Sequence, residues 1–419
     1  MDQMKIHGGA RLRGTVDVSG AKNAALPILV SAILSGGPCR FERVPDLMDI
    51  RTLIKLLANM GMKVDFDRAA NRAVLDASSI HSQEAPYELV KTMRASVFVL
   101  GPLLTRYGRA KVRLPGGCAI GARPINYHLT GLEKLGAQIQ LEDGYVIANA
   151  KRLIGNRVVF EYPSVGATEN VLMAAVLAKG ESVLENCAKE PEIVDLARAL
   201  RAMGAVIEGE GSETIRVQGK DSLTGCDHQV IGDRIEAGTF LCAAFATEGE
   251  VRVQGINAEF LEPVLVKLES AGASIERGSN YVALKSHGRP KGTDVTTLPH
   301  PGFPTDMQAQ FMAAMSIADG ASVITETVFE NRFMHVPELA RLGADIVVRG
   351  KSAVVKGKQT LKGAPVMATD LRASASLIIA GLRASGETVV SRIYHLDRGY
   401  ERMEVKLRSL GATIERLPG

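Results

Sequence analysis

Six apolar, Ala- and Leu-rich runs punctuate the chain: AALPILVSAIL (24–34), VFVLGPLLTRY (97–107), NVLMAAVLA (170–178), GTFLCAAFA (238–246), FMAAMSIA (311–318) and SASLIIAGLRA (374–384). Each reads as a helix, and each is followed within a few residues by a glycine, at 37, 108, 180, 249, 320 and 386. Most of these glycines lead into alternating apolar and polar positions, such as Ser182-Val183-Leu184-Glu185 and Ser322-Val323-Ile324-Thr325. That period of two predicts a strand with one buried face. A second helical pattern follows and ends in a common signal: LANMGMKV, LEKLGAQI, LRAMGAVI, LESAGASI, LARLGADI and LRSLGATI. Its glycines are 61, 136, 204, 272, 343 and 411, with separations of 75, 68, 68, 71 and 68 residues. A glycine there fits a helix C-cap, and the β-branched residues after it start a strand.

One repeat therefore reads strand, helix, glycine, strand, loop, helix, glycine, strand pair. Six copies of a layered α/β unit suggest two lobes of three repeats. The first copy lacks its front end. Residues 1–21 read as a short strand pair with turns at Gly8-Gly9 and Gly14, and the segment from Gly219 to Gly232 reads as a hinge. The simplest closure places lobe one at 22–230 and joins 1–21 to 231–419 as lobe two, with a cleft between them where a site is expected.

The first helix of each repeat opens on polar residues. These are Ser19-Gly20-Ala21-Lys22-Asn23, Lys91-Thr92-Met93-Arg94, Ser164-Val165-Gly166-Ala167-Thr168, Gly232-Asp233-Arg234, Pro304-Thr305-Asp306 and Ala368-Thr369-Asp370-Leu371-Arg372. Ser, Thr and Asp suit N-caps. Lys22, Arg94, Arg234 and Arg372 do not, because a cation there opposes the helix dipole. Their repetition predicts a bound anion at these ends.

Length and composition fit two or three domains of a globular protein. The chain has 419 residues, is 46% hydrophobic and 23% charged, and has no Trp. A net charge of +4 without an aromatic-interleaved basic tract gives no case for nucleic acid. No apolar stretch is long enough to span a bilayer, and the start of the chain lacks a signal-peptide run. The five cysteines are odd in number and scattered, which predicts reduced thiols in the cytoplasm. One of them stands out. Cys118 lies in Pro115-Gly116-Gly117-Cys118-Ala119-Ile120-Gly121-Ala122-Arg123-Pro124, among three glycines and close to an arginine. A thiol so placed can move a proton or attack carbon, and the guanidinium can hold phosphate or carboxylate. His128, His335 and His395 have no metal-ligand spacing and read as structural.

The segments SGAKNAALP (19–27), KTMRAS (91–96), PGGCAIGARP (115–124), TDMQAQF (305–311), TETVFENRFMHVPEL (325–339), ATDLRASASL (368–377) and RIYHLDRGYER (392–402) occur in this order. Together they resemble the enolpyruvyl transferases, and within them the branch that acts on UDP-N-acetylglucosamine. The resemblance spans essentially the whole chain. It implies a two-lobed inverse α/β barrel of six βαβαββ-like repeats, three per lobe. It implies transfer of the enolpyruvyl group of phosphoenolpyruvate to the 3′-hydroxyl of UDP-N-acetylglucosamine, in peptidoglycan synthesis, without metal or organic cofactor.

On the same resemblance, Lys22, Arg123 and Arg398 hold phosphoenolpyruvate. Asn23 contacts the sugar and Arg94 the diphosphate. Arg123, Pro124, Ile125, Asn126 and Tyr127, with Ser164, Val165, Gly166 and Val328, border the nucleotide, and Arg372 joins the substrate-binding set. Asp306 takes the hydroxyl proton, Asp370 and Arg332 stabilise the intermediate, and Cys118 handles a proton and is the target of fosfomycin. One departure is the segment Glu161-Tyr162-Pro163-Ser164, where the family often carries a lysine. Two alternatives stay open: a 5-enolpyruvylshikimate-3-phosphate synthase-like transferase, which carries a Gly-Ser-Lys-Ser type start and no cysteine loop, and a non-catalytic paralogue. A hydrolase with Cys118 as nucleophile and His128 as base lacks an orienting third group.

Overall fold

The computed structural model describes residues 2–86, 94–114 and 125–419, with Arg94 and Ala95 described by backbone alone. The chain forms two compact units, one drawn from residues 20–231 and the other from 2–19 and 232–419. Each has its own apolar core.

Burial separates the helices into two kinds. In the second unit, Arg234–Ala246 and Gln308–Met315 are buried at every residue, and Leu371–Arg383 at all but its ends. These three pack on one another. Helices apolar on all faces are core helices, and their Ala, Gly and Ser positions let them approach closely. In the first unit, Lys22–Ser31 is buried except at Asn23, Val165–Ala175 except in its first two residues, and Leu100–Tyr107 over its first five. The second helix of each repeat is amphipathic. Met48–Asn59 buries Ile50, Leu53, Leu56 and Leu57, while Glu262–Ser270 buries Val264, Leu265 and Leu268. Each full burial of such a side chain is worth about 1.5–3 kcal/mol.

Among the described residues, six four-stranded sheets surround these helices, three in each unit. All share one pattern, in which one edge strand runs parallel to its neighbour and the other pairings are antiparallel, as in Arg157–Val159, Glu181–Glu185, Thr214–Gln218 and Val206–Glu208. In two of them one strand comes from the start of the chain, and in a third the edge strand comes from residues 227–229. Helices inside and sheets outside make this an inverse α/β barrel fold of six βαβαββ-like repeats.

The strand pair expected in residues 1–21 does not form. Gln3–His7 lies between Glu387–Ser391 and Thr413–Leu417, while Arg13–Asp17 runs parallel to Glu250–Gln254 in a different sheet. Each strand completes a repeat that lacks one. The first repeat is completed from the hinge segment, where Asp227–Gln229 pairs parallel with Cys39–Glu42. A strand of two or three ladder pairs carries little local signal, so its partner is set by which sheet has an open edge.

The helix-ending glycines behave as the spacing predicts. Gly61, Gly136, Gly204, Gly272, Gly343 and Gly411 have φ of 97°, 97°, 100°, 106°, 91° and 94°. The earlier set divides. Gly108, Gly180, Gly320 and Gly386 also have positive φ, but in the fourth repeat Glu248 takes that conformation at φ 53°. Gly249 serves a close approach instead: a Cβ there would lie 2.1 Å from the Leu12 carbonyl oxygen. This separates two costs. At Gly272 nothing lies within 4 Å of an added Cβ, so Gly272→Ala should cost only the left-handed backbone penalty of about 1–2 kcal/mol. Gly249→Ala should cost more, because the Leu12 backbone must move. Thermal and denaturant midpoints of the two variants check the order.

Candidate active site

The three inner helices of the second unit start around one spot. Pro304 precedes a single 3-10 turn, Thr305–Met307, that feeds the Gln308–Met315 helix. Asp233 caps its helix by accepting from the amides of Ile235 (2.8 Å) and Glu236 (3.0 Å). Asp370 does the same for Arg372 (2.8 Å) and Ala373 (2.9 Å), using one carboxylate oxygen for both. Asp306 is not a cap. Its Oδ1 accepts from Arg332 Nη2 at 2.6 Å, and its Oδ2 faces Arg372 Nε at 3.3 Å. Arg332 Nη1 also donates to Thr305 Oγ1 at 2.8 Å.

Arg332 and Arg372 are 5% and 3% exposed, so both charges are taken out of water. Burial works against the Arg372 charge, but Tyr400, Asp306 and Asp233 outweigh it and raise its pKa above the ordinary value. The Tyr400 ring lies 5.3 Å from its guanidinium carbon. Burial raises the Tyr400 hydroxyl pKa. That hydroxyl is 2.9 Å from Thr239 Oγ1 and accepts from Gln310 Nε2 at 3.1 Å. Arg332 and Arg372 thus meet Asp306 within the unit, and an arginine near a helix start is offset by a carboxylate. Such a site, with helix ends and two guanidiniums around one exchangeable carboxylate, suits an incoming anion.

Glu326 is a residue that sequence reading missed. Its two oxygens accept from Thr297 Oγ1 (2.8 Å), Thr305 Oγ1 (2.8 Å), the Val328 amide (2.8 Å) and the Phe329 amide (3.2 Å). The carboxylate ties the loop carrying Val328 to the turn carrying Asp306. The only sequence signal is an acidic residue between Thr325 and Thr327, where a strand ends. Val328 itself is half-buried, as is Arg398 at the end of the Ile393–Arg398 turn.

His335 and His395 lie near this cluster. Neither ring nitrogen of His335 has a hydrogen-bond partner among the described residues. Burial lowers its pKa to about 4, with Asp370 opposing and Arg332 adding to the shift. Burial also lowers His395, and Arg398 adds to it. Both rings are neutral near pH 7.

In the first unit, Lys22 opens its helix without a side-chain cap, since Ala21 stands at the N-cap. Its ammonium pairs with Asp49 at 2.6 Å, and both side chains are nearly buried. Asp49 is a second residue that sequence reading missed. It supplies a carboxylate beside the cation from a different helix. Asn23 is half-buried beside Lys22. Ser164 caps Val165–Ala175, accepting from the Ala167 amide at 3.4 Å, with Val165 and Gly166 in the first turn. A Cβ on Gly166 would come within 3.2 Å of the His128 ring. His128 Nδ1 is 3.1 Å from Asn170 Nδ2, so this ring is a packed core histidine. Ile125, Asn126 and Tyr127 form the start of the Asn126–Lys134 helix. Tyr162 is exposed. Glu169, in the helix that Ser164 caps, is fully buried, and burial with the charges of Glu192 and Glu190 pushes its carboxyl pKa well up. Cys118, Arg123 and Pro124 lie outside the described residues, and so does the side chain of Arg94.

Residues 6–407 match the family described as EPSP synthase (3-phosphoshikimate 1-carboxyvinyltransferase). The chain belongs to this family. It is therefore a transferase of the enolpyruvyl type. Among solved structures it is similar to the enolpyruvyl transferase NikO from Streptomyces tendae, at 28% identity and a TM-score of 0.89, over 100% of this chain and 99% of that one. Two structures of EPSP synthase from Acinetobacter baumannii share the fold at 19% and 18% identity. Each has a TM-score of 0.78 and full coverage of both chains.

The buried His335 makes stability depend on pH. Its folded pKa is depressed below the unfolded value of about 6.5, so the unfolded chain binds the extra proton between about 4 and 6.5. Stability should then fall as pH drops through that window, by up to about 1.4 kcal/mol per pH unit from this group. His335→Asn should flatten that slope, as read by denaturation midpoints at several pH values, with little change above pH 7.

Proposed function

We propose that the chain is a UDP-N-acetylglucosamine 1-carboxyvinyltransferase. It transfers the enolpyruvyl group of phosphoenolpyruvate to the 3′-hydroxyl of UDP-N-acetylglucosamine with release of phosphate, the first committed step of peptidoglycan synthesis and hence of cell wall growth and division. The carrying observation is the Asp306–Arg332–Arg372 cluster at converging helix starts. It sets one carboxylate, able to act as a base, between two buried guanidiniums. The Ser19–Asn23 start and the Cys118 loop favour the UDP-sugar acceptor over shikimate 3-phosphate.

In this reading Lys22, Arg123 and Arg398 bind the phosphate and carboxylate of phosphoenolpyruvate. Arg94 takes the diphosphate and Asn23 the sugar. Arg123 to Tyr127, Ser164 to Gly166, Val328 and Arg372 border the acceptor. Substrate displaces a guanidinium from Asp306, and the freed carboxylate accepts the 3′-hydroxyl proton as that oxygen attacks the central carbon of phosphoenolpyruvate. The methylene carbon takes a proton from Cys118, giving a tetrahedral intermediate. Arg332 and Asp370 stabilise it. Loss of a methyl proton and cleavage of the carbon–oxygen bond to phosphate restore the double bond. Cys118 is also the site where fosfomycin alkylates. The same reading assigns the chain to the cytoplasm. No helix among the described residues is long and apolar enough to cross a membrane.

The second reading is a 5-enolpyruvylshikimate-3-phosphate synthase-like transferase, favoured by the description of the matched family. Phosphate release decides between them. It should depend on UDP-N-acetylglucosamine; release with shikimate 3-phosphate alone would reverse the assignment. Asp306→Asn should lower kcat by about 10²–10⁴-fold, and an unchanged rate would remove Asp306 as the base. Fosfomycin should label Cys118 in peptide maps, and label on Cys39, Cys187, Cys226 or Cys242 instead would count against the site.

A further inference from the structure

Cys39 and Cys226 are far apart in sequence and adjacent in the fold. The ladder that closes the first unit pairs Asp227 with Arg40, His228 with Phe41 and Gln229 with Glu42 in parallel. One step back along both strands stands Cys226 beside Cys39. The Arg40 amide donates to the Cys226 carbonyl at 2.7 Å, which holds that register to the end of the ladder. Side chains at matched positions of neighbouring strands point to the same face. Strand spacing of about 4.8 Å falls inside the Cα separation of about 4.4–6.8 Å that a disulfide accepts. The backbones are also close just before this point, where Gly36 donates to the Leu223 carbonyl at 2.8 Å and a Cβ on Gly225 would lie 2.2 Å from the Pro38 carbonyl oxygen.

The two thiols sit close enough for each to perturb the other. A hydrogen bond with Cys226 lowers the Cys39 pKa to about 7 against the cost of burial, while Cys226 is pushed up. Cys187 and Cys242 are buried without such a partner, and burial raises both to about 12. The pair is thus set apart from the other described cysteines by a neighbour able to act as a resolving thiol. Cys39 is fully buried and Cys226 is 8% exposed, so the oxidant has to be small.

We propose that Cys39 and Cys226 form a peroxide-sensitive dithiol that closes to a disulfide, fastening the last strand of the 20–231 unit to its first sheet. In the first step the Cys39 thiolate attacks a peroxide oxygen. The sulfur–oxygen bond forms, the oxygen–oxygen bond breaks, and hydroxide leaves and takes a proton to become water. In the second step Cys226, losing its proton, attacks the Cys39 sulfur and expels the sulfenic oxygen as a second water. Two thiols lose two electrons and two protons, and one hydrogen peroxide becomes two waters. A dithiol reductant reverses the change.

The test treats the full-length protein with hydrogen peroxide, then blocks free thiols in denaturant and maps peptides without reduction. The expected result is a Cys39–Cys226 linked peptide that disappears after dithiothreitol, forming at least about tenfold faster than any oxidation of Cys187 or Cys242. Recovery of Cys39 and Cys226 as free thiols, or a link from either to another cysteine, would overturn the proposal. In Cys226→Ser, Cys39 should instead accumulate as a sulfenic acid that dimedone traps. An unlabelled Cys39 in that variant would also overturn it. Cys118 maps to a separate peptide and does not enter either readout.

Discussion

The structure depends on helices that have no solvent face. A helix buried on every side cannot carry charge along its length without a desolvation cost of several kcal/mol per ion. Its N-terminus is the exception, because unpaired amides there need acceptors and the dipole draws negative charge. In the 232–419 part of the chain this constraint gathers the polar chemistry at one end of three helices. Asp233 and Asp370 satisfy amides, while Asp306 is left to face two guanidiniums.

Charges at such helix ends cannot stay unmatched in the absence of ligand. Arg332 and Arg372 share Asp306, and Lys22 takes Asp49. These pairs hold the cations where an anion can be received, and they set what binding requires. In the proposed function an incoming phosphate or carboxylate exchanges with an internal carboxylate, so affinity is the difference between two ion pairings. Glu326 keeps the exchange local, since its four accepted hydrogen bonds fix the loop and the turn on either side.

Closure of the sheets follows a different logic. Both units complete a repeat with strands brought from elsewhere in the chain: Asp227–Gln229 joins the first sheet, Arg13–Asp17 joins the sheet of Glu250–Gln254, and Gln3–His7 joins the sheet of Thr413–Leu417. These strands have three to five residues and few distinguishing side chains. Asp227–Gln229 and Arg13–Asp17 fill an open sheet edge, while Gln3–His7 fills the gap between two strands. The Cys39–Cys226 adjacency is a by-product of that closure, invisible to spacing rules that look for cysteines a few residues apart.

The periodic features were determined by sequence alone. The six apolar helices, the six glycines that end their partners and the alternating strands are properties of contiguous residues, since φ > 0 at Gly61 or Gly411 and a buried face on Glu181–Glu185 are decided within one turn or one strand. The same local rules picked out Ser164, Asp233 and Asp370 as caps. Only the tertiary structure decided which charges meet. Asp306 reaches Arg332 across 26 residues and Arg372 across 66, and Lys22 finds Asp49 on another helix. No local pattern encodes such a pairing, because what selects it is the shared desolvation of two groups that the packing of separate helices brings to one place.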